Sequence, residues 1–209
     1  MRQLILYTNP QSRGRIAHWM IEELGEPYDT QWLAYGPTGT KSAEYLAINP
    51  MGKIPSIKHN GLVVTETAAI CTYLAVAYPE KNLMPRLDDP TLPSFLRWMY
   101  FAAGPVEASV TAKAMGWIVP EDRKGTVGFG SHDEVLATLE TALQPGPFVC
   151  GRRFTAADVY LGSHLNWGMA FGGIERRPLF EDYVARLVAR PAYQRAEKIN
   201  REKLAESSA

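Results

Sequence analysis

The chain has 209 residues, 46% hydrophobic and 21% charged, ordinary for a globular protein and enough for one large or two modest domains with a sizeable core. Lys and Arg together number 22, as do Asp and Glu, so the formal net charge is zero and the charge balance argues against nucleic acid or an acidic lipid surface as partner. The two cysteines, Cys71 and Cys150, are too few for a disulfide framework or metal cluster and read as small buried residues of a reducing compartment; with no basic-then-apolar leader and no run near ~20 apolar residues, a soluble cytoplasmic protein is predicted.

Leu4-Ile5-Leu6-Tyr7 reads as a short strand, and Ile16, Ala17, Met20, Ile21 and Leu24 recur at helical spacing until Gly25 stops the helix. Gln31-Trp32-Leu33 reads as a second strand, and Ser42 to Ile48 as a helical turn or two after a Gly/Pro/Thr-rich loop from Tyr35 to Thr40. Ile54 to Lys58 and Leu62 to Val64 flank His59-Asn60-Gly61, a hairpin signal, because Asn-Gly supplies the left-handed turn residues. A helix over about 65–78 completes a βαβαββα order, with a mixed sheet of thioredoxin-like arrangement. Residues 81–90 read as a linker, broken by Pro85 and Pro90. Helical periodicity over 91–117, 131–143, 155–170 and 178–190 predicts an all-helical second domain spanning 91–209, after a first domain over 1–80. His18, His59, His132 and His164 show no metal-ligand spacing, and no metal is expected.

Two motifs carry chemistry. In Asn49-Pro50-Met51-Gly52-Lys53-Ile54-Pro55, Ile54 is biased to extended backbone by the proline after it, and Pro55 has no N–H to offer a ladder. An extended ligand can therefore exchange main-chain hydrogen bonds with Ile54 as an added strand. Thr65-Glu66-Thr67-Ala68-Ala69-Ile70 places an acid and a hydroxyl where a helix begins, beside open N–H groups and a positive dipole end. Together they describe a grip on a small peptide with free ends.

These motifs, in this order, resemble the glutathione-binding half of the cytosolic glutathione transferases. The resemblance extends upstream to Leu4–Tyr7 and Asn9-Pro10-Gln11-Ser12-Arg13-Gly14-Arg15, and downstream to Phe154-Thr155-Ala156-Ala157-Asp158-Val159, similar to the capping box of that family's helical domain. It implies a glutathione transferase of serine-type, bacterial-like character that joins glutathione, as co-substrate, to hydrophobic electrophiles in detoxification. It also implies a homodimer, for which Tyr73, Ala77 and Tyr78 offer apolar surface. The alternatives are a non-catalytic binding or interaction module on the same fold, or a glutathione-dependent isomerase, peroxidase or reductive lyase acting on one metabolite.

A thiol with a pKa of about 8.5 is only a few per cent ionised at neutral pH, so activation means stabilising the thiolate. A hydroxyl at a helix N-terminus does this by donating a hydrogen bond. Ser12 stands at the position that resembles the family's catalytic serine. Tyr7 is the alternative, since tyrosine-type members carry their hydroxyl at the end of the first strand, but there Arg-Gly-Arg follows more closely than Arg13-Gly14-Arg15 does here. A plain helix cap remains the structural reading of Ser12. By resemblance Lys41 and Lys53 reach the glycine end of glutathione, Ile54 and Pro55 hold its backbone, and Glu66 and Thr67 take its γ-glutamyl end. Phe101, Met115 and Trp117 are the candidates for a hydrophobic substrate pocket.

Overall fold

A computed structural model describes residues 3–206. The chain divides into two compact units, one formed by residues up to 81 together with those from 189 onward, the other by 82–188.

In the first unit β1 (Leu4–Thr8), α1 (Gly14–Leu24), β2 (Asp29–Trp32), α2 (Ala43–Leu46), β3 (Ser56–His59), β4 (Leu62–Thr65) and α3 (Thr67–Ala77) follow the predicted order. The sheet runs β2-β1-β3-β4, with β1 parallel to β2 and antiparallel to β3, and β3 antiparallel to β4. A parallel pair needs a crossover, which α1 supplies. The β3–β4 hairpin turns on Asn60 (φ 52°) and Gly61 (φ 87°), the two left-handed residues that match strand twist. Leu4, Leu6 and Ile57 of the sheet, Ala17, Met20 and Ile21 of α1, and Ile70 and Leu74 of α3 are buried and form this unit's core. Strand β3 starts two residues later than Ile54, where the predicted strand began: the Ile54–Pro55 peptide is cis and the proline has no N–H to pair.

The second unit holds α4 (Leu92–Phe101), a π-helical turn over Ala102–Val106, α5 (Glu107–Ala114), α6 (His132–Leu143), α7 (Ala156–Ala170) and α8 (Pro178–Val188). The helix predicted over 91–117 is thus one run loosened in its middle. Pro105 lies inside the π turn, where it cannot donate and its ring crowds the preceding turn. Ser131 and Glu134 cap α6 reciprocally, Ser131 N–H donating to Glu134 Oε2 (2.8 Å) and Glu134 N–H to Ser131 Oγ (3.2 Å). Asp158 of α7 is fully buried and accepts from Thr155 N–H, Thr155 Oγ1, Val149 N–H and Tyr183 Oη at 2.8–3.1 Å. Burial raises its carboxyl above the ordinary value against those four donors. It ties the residues before α7 to α8, a structural role.

The last helix, α9 (Pro191–Glu206), belongs to the first unit, although helical character alone had assigned its residues to the second domain. Its buried positions are Ala192, Ala196 and Asn200, four apart, a narrow small-residue stripe that lets it lie close on α1. Around that stripe Arg190 forks onto Glu23 (2.7 Å twice), Arg195 pairs with Glu22 (2.7 Å) and Arg15 pairs with Glu197. Inside it, Asn200 Nδ2 donates to His18 Nδ1 (3.1 Å), His18 Nε2 donates to Tyr28 Oη (2.6 Å) and Tyr28 donates to Glu22 Oε1 (2.7 Å). Among the described residues no helix is long and apolar enough to cross a membrane.

Candidate active site

Sheet register alone collects most of the predicted site residues. Tyr7 pairs with Ser56 across β1–β3, and Ser56 with Thr65 across β3–β4, so the chain before Ser56 and the chain after Thr65 continue from one end of the sheet. The same end holds the turn after Thr8, and, through the parallel pair Thr8–Trp32, the loop that leaves β2. Ile54-Pro55, Glu66-Thr67 and the Asn9–Arg13 turn therefore converge where α1 and α3 begin.

The turn is held from within. Asn9 Oδ1 accepts from Gln11 N–H (2.9 Å), and Asn9 Nδ2 donates to Leu33 O (2.8 Å), tying it to the β2 exit. Ser12 is buried; its Oγ donates to Asn9 O (2.7 Å) and accepts from Gly14 N–H (2.9 Å), which satisfies a donor at the start of α1. The hydroxyl is thus a cap in this state, and it must turn from Asn9 O to meet a sulfur. Tyr7 is half-buried with its ring 5.9 Å from that of Tyr45. One residue of this region that sequence reasoning passed over is Tyr35, whose exposed side chain reaches the turn and donates from Oη to Gln11 O (3.1 Å). Burial lifts its phenol above the ordinary value, while hydrogen bonding with the Ser12 side chain and the Arg13 guanidinium pull it down. Arg15 does not face this turn as a bare charge, since Glu197 holds it.

Glu66 adopts φ 67° and ψ 122° at the start of α3, a conformation that costs a residue with a Cβ about 1–3 kcal/mol and is found where function requires it. Its side chain is exposed, and Thr67 behind it is buried. Lys41 and Lys53 are both exposed on the loops beside Gly52. Lys41 Nζ donates to Met51 O (2.8 Å), and Lys53 O accepts from Tyr45 Oη (2.6 Å) and Asn49 Nδ2 (2.8 Å), so the segment that leads into Ile54 is pinned by its backbone. A side chain at Gly52 (φ 57°) would come within 2.7 Å of Lys41 Nζ.

The pocket candidates of the helical unit are dispersed. Phe101 is half-buried with its ring edge-on to Trp98 (5.5 Å), whereas Met115 and Trp117 stand exposed beyond α5. None of them lines the cavities of about 530 and 300 Å³ in that unit, walled chiefly by Trp98, Thr138 and Phe148 and by Asp89, Arg153 and Thr155, with Cys150 bordering both. Burial pushes the Cys71 and Cys150 thiols up to about 12, so neither is a nucleophile at neutral pH.

Glutathione S-transferase family models match this chain twice, the N-terminal domain model over residues 13–77 and the C-terminal domain model over 131–186. Glutathione S-transferase A of Pleuronectes platessa is 30% identical over 180 residues, covering 80% of this chain and 78% of that protein. The chain belongs to the glutathione S-transferase family. Glutathione S-transferase GstA of Escherichia coli O157:H7 is 29% identical over 155 residues, 73% of this chain and 76% of that protein. Among solved structures, a glutathione transferase from Methylococcus capsulatus str. Bath superposes with a TM-score of 0.78 at 28% identity, covering 94% and 98% of the two chains. The theta class glutathione S-transferase from Xanthomonas axonopodis pv. citri, solved with glutathione bound, gives 0.74 at 30% identity over 94% and 97%. The thioredoxin-like sheet with a helical unit is thus the glutathione S-transferase fold, and the chain is a glutathione transferase.

Proposed function

We propose that this transferase binds glutathione at the end of the sheet where Ile54-Pro55, Glu66-Thr67 and the Ser12 turn converge, lowers its thiol pKa, and conjugates it to hydrophobic electrophiles in the cytoplasm. The convergence fixed by the Tyr7–Ser56 and Ser56–Thr65 register carries this reading, because it gives a peptide with free ends its three anchors at once. Ile54 offers main-chain groups, Glu66 a carboxylate for the γ-glutamyl ammonium and Thr67 a hydroxyl and helix N-terminus for its carboxylate; Lys41 and Lys53 serve the glycine carboxylate. Ser12, released from Asn9 O, donates to the thiolate, in a serine-type arrangement, with Tyr7 as the alternative donor. The thiol proton leaves to water, and the thiolate forms a sulfur–carbon bond to the electrophile while either a leaving group departs to solvent with its bonding pair or the pair of an activated double bond shifts onto its acceptor group and takes a proton from water. We also assign the chain a homodimeric state.

The test is calorimetric titration with glutathione while thiolate absorbance is followed across pH. Binding with a thiol pKa one to two units below about 8.5, a depression cut back in Ser12→Ala and kept in Tyr7→Phe, is the expected result. The opposite pattern in the two variants overturns the serine-type assignment, and binding without a depressed pKa overturns thiol activation.

A further inference from the structure

We propose that Tyr35, on the loop leaving β2, is a further catalytic residue: its hydroxyl meets the glutathione sulfur alongside Ser12 and shares the stabilisation of the thiolate. The inference rests on the reading that glutathione binds at this end of the sheet.

Three observations carry it. The first is the commitment of Ser12, whose single proton goes to Asn9 O at 2.7 Å while its oxygen takes the Gly14 N–H. A hydroxyl so engaged meets a new acceptor only by giving up a made bond, and the carbonyl it abandons then needs another donor. The second is position. The parallel pairing that ends at Thr8–Trp32 and the Leu33 N–H to Thr8 O bond (2.8 Å) fasten the start of the β2 exit loop to the end of β1, and Asn9 Nδ2 fastens it again at Leu33 O. Tyr35 lies two residues on, and its Oη reaches Gln11 O at 3.1 Å, the carbonyl of the residue before Ser12. The third is availability. The Tyr35 side chain is 57% exposed, whereas Ser12 is 6% exposed, so the phenol is the hydroxyl of this turn that an incoming ligand encounters first. Its bond to Gln11 O is a 3.1 Å contact to a carbonyl at the surface, which water can replace, and its hydrogen bonding with the Ser12 side chain places the two hydroxyls side by side.

The chemistry fits. A phenol that stays protonated at neutral pH is a donor to a thiolate, and the Arg13 guanidinium nearby adds positive potential to the same spot. Two donors to one sulfur split the work: Ser12 from the helix start, Tyr35 from the facing loop. The thiol proton still departs to solvent, and neither residue is ionised.

The experiment measures the pKa of the bound glutathione thiol by thiolate absorbance, with the glutathione Kd by calorimetry, in the unmodified protein, Tyr35→Phe, Ser12→Ala and the double variant. Tyr35→Phe removes one exposed oxygen and leaves the ring, so folding is preserved. The expected result is a rise of about half to one pKa unit in Tyr35→Phe, an approximately 3- to 10-fold loss of thiolate below the pKa, with Kd changed less than about twofold and a larger rise in the double variant. A role confined to bracing the turn through Gln11 O would instead weaken Kd and leave the bound-thiol pKa in place, and that outcome overturns the proposal. An unmoved pKa in Tyr35→Phe beside a raised one in Ser12→Ala overturns it while leaving the binding site intact. If the unmodified protein binds no glutathione, or binds it without lowering the thiol pKa, the underlying reading falls and takes this one with it.

Discussion

Gly14 controls how closely α1 starts beneath β1. Its φ is unremarkable for any residue, but a Cβ there would run into the buried Thr8 Oγ1 and come within 2.8 Å of Ser12 Oγ. Thr8 is fully buried on β1 and cannot yield without disturbing the core, and Ser12 Oγ could move aside only by giving up its bond to Asn9 O. Gly14→Ala is expected to lower stability by ~1–3 kcal/mol in urea unfolding, as overpacking does. It should also disturb the Ser12 hydroxyl; an unchanged unfolding midpoint would show that the turn is softer than its contacts imply. At the same scale, Ile54-Pro55 and Glu66-Thr67 stand out in the sequence because each departs from what a plain strand or helix needs, and Ser12 because a hydroxyl ahead of a helix reads as a cap, the bond its Oγ makes with Gly14 N–H. Tyr35 was illegible: an aromatic in a Gly/Pro-rich loop carries no signal until the β1–β2 register brings it to the Ser12 turn.

Among the elements, α9 repays its neighbours on α1 with charge and a buried histidine. Burial holds the His18 imidazole below its ordinary value of 6.5, outweighing the carboxylates of Glu22 and Glu197, which favour its charge. The folded state therefore takes up its proton at lower pH than the unfolded chain. Stability should be complete above about pH 6.5, fall as pH drops from there toward the folded pKa, and level off below it. Urea midpoints at about pH 8, 6 and 5 read this slope, and His18→Gln should flatten it while lowering stability throughout. Equal slopes in both proteins would move the acid sensitivity elsewhere. The contrast with other elements explains what sequence reading could reach. α6 and α7 declare themselves by capping boxes and large apolar residues at helical spacing. α9 touches α1 through Ala192, Ala196 and Asn200, residues that no apolar pattern flags, and its partners Glu22, Glu23 and Arg15 lie more than 160 residues away in sequence. Strand β3 starts at Ser56 and not at Ile54, although the missing N–H of Pro55 is legible in the sequence: the apolar run carries the strand pattern back to Ile54, where the ladder has no rung.

For the whole molecule, the proposed homodimer needs apolar surface, and not all of the surface the sequence offered for it is exposed. Tyr78 is 1% exposed and stacks on His59, so it belongs to the interior of the first unit, while Tyr73, bonded to His59 Nδ1 (2.9 Å), and Ala77 are only half-buried. Leu62 and Val63 of β4 and Val76 of α3 are exposed instead, on an edge strand and the helix packed beside it. Size-exclusion chromatography over a range of concentrations should give a dimer, and Leu62→Glu with Val76→Glu should shift it to monomer. A concentration-independent monomer in the unmodified protein would remove the homodimer.

The first unit is discontinuous: its sheet comes from the residues up to 81 and its closing helix from those after 189, with the helical unit inserted between them. In time rather than space, this means that a growing chain makes the sheet early and cannot finish that unit until every residue of the helical unit has been synthesised. During that interval the α1 surface that receives Asn200 stands uncovered, with Glu22 and Glu23 waiting for arginines that do not yet exist. The helical unit is the first that can close, while the unit that carries the proposed glutathione site still waits for the helix that covers α1.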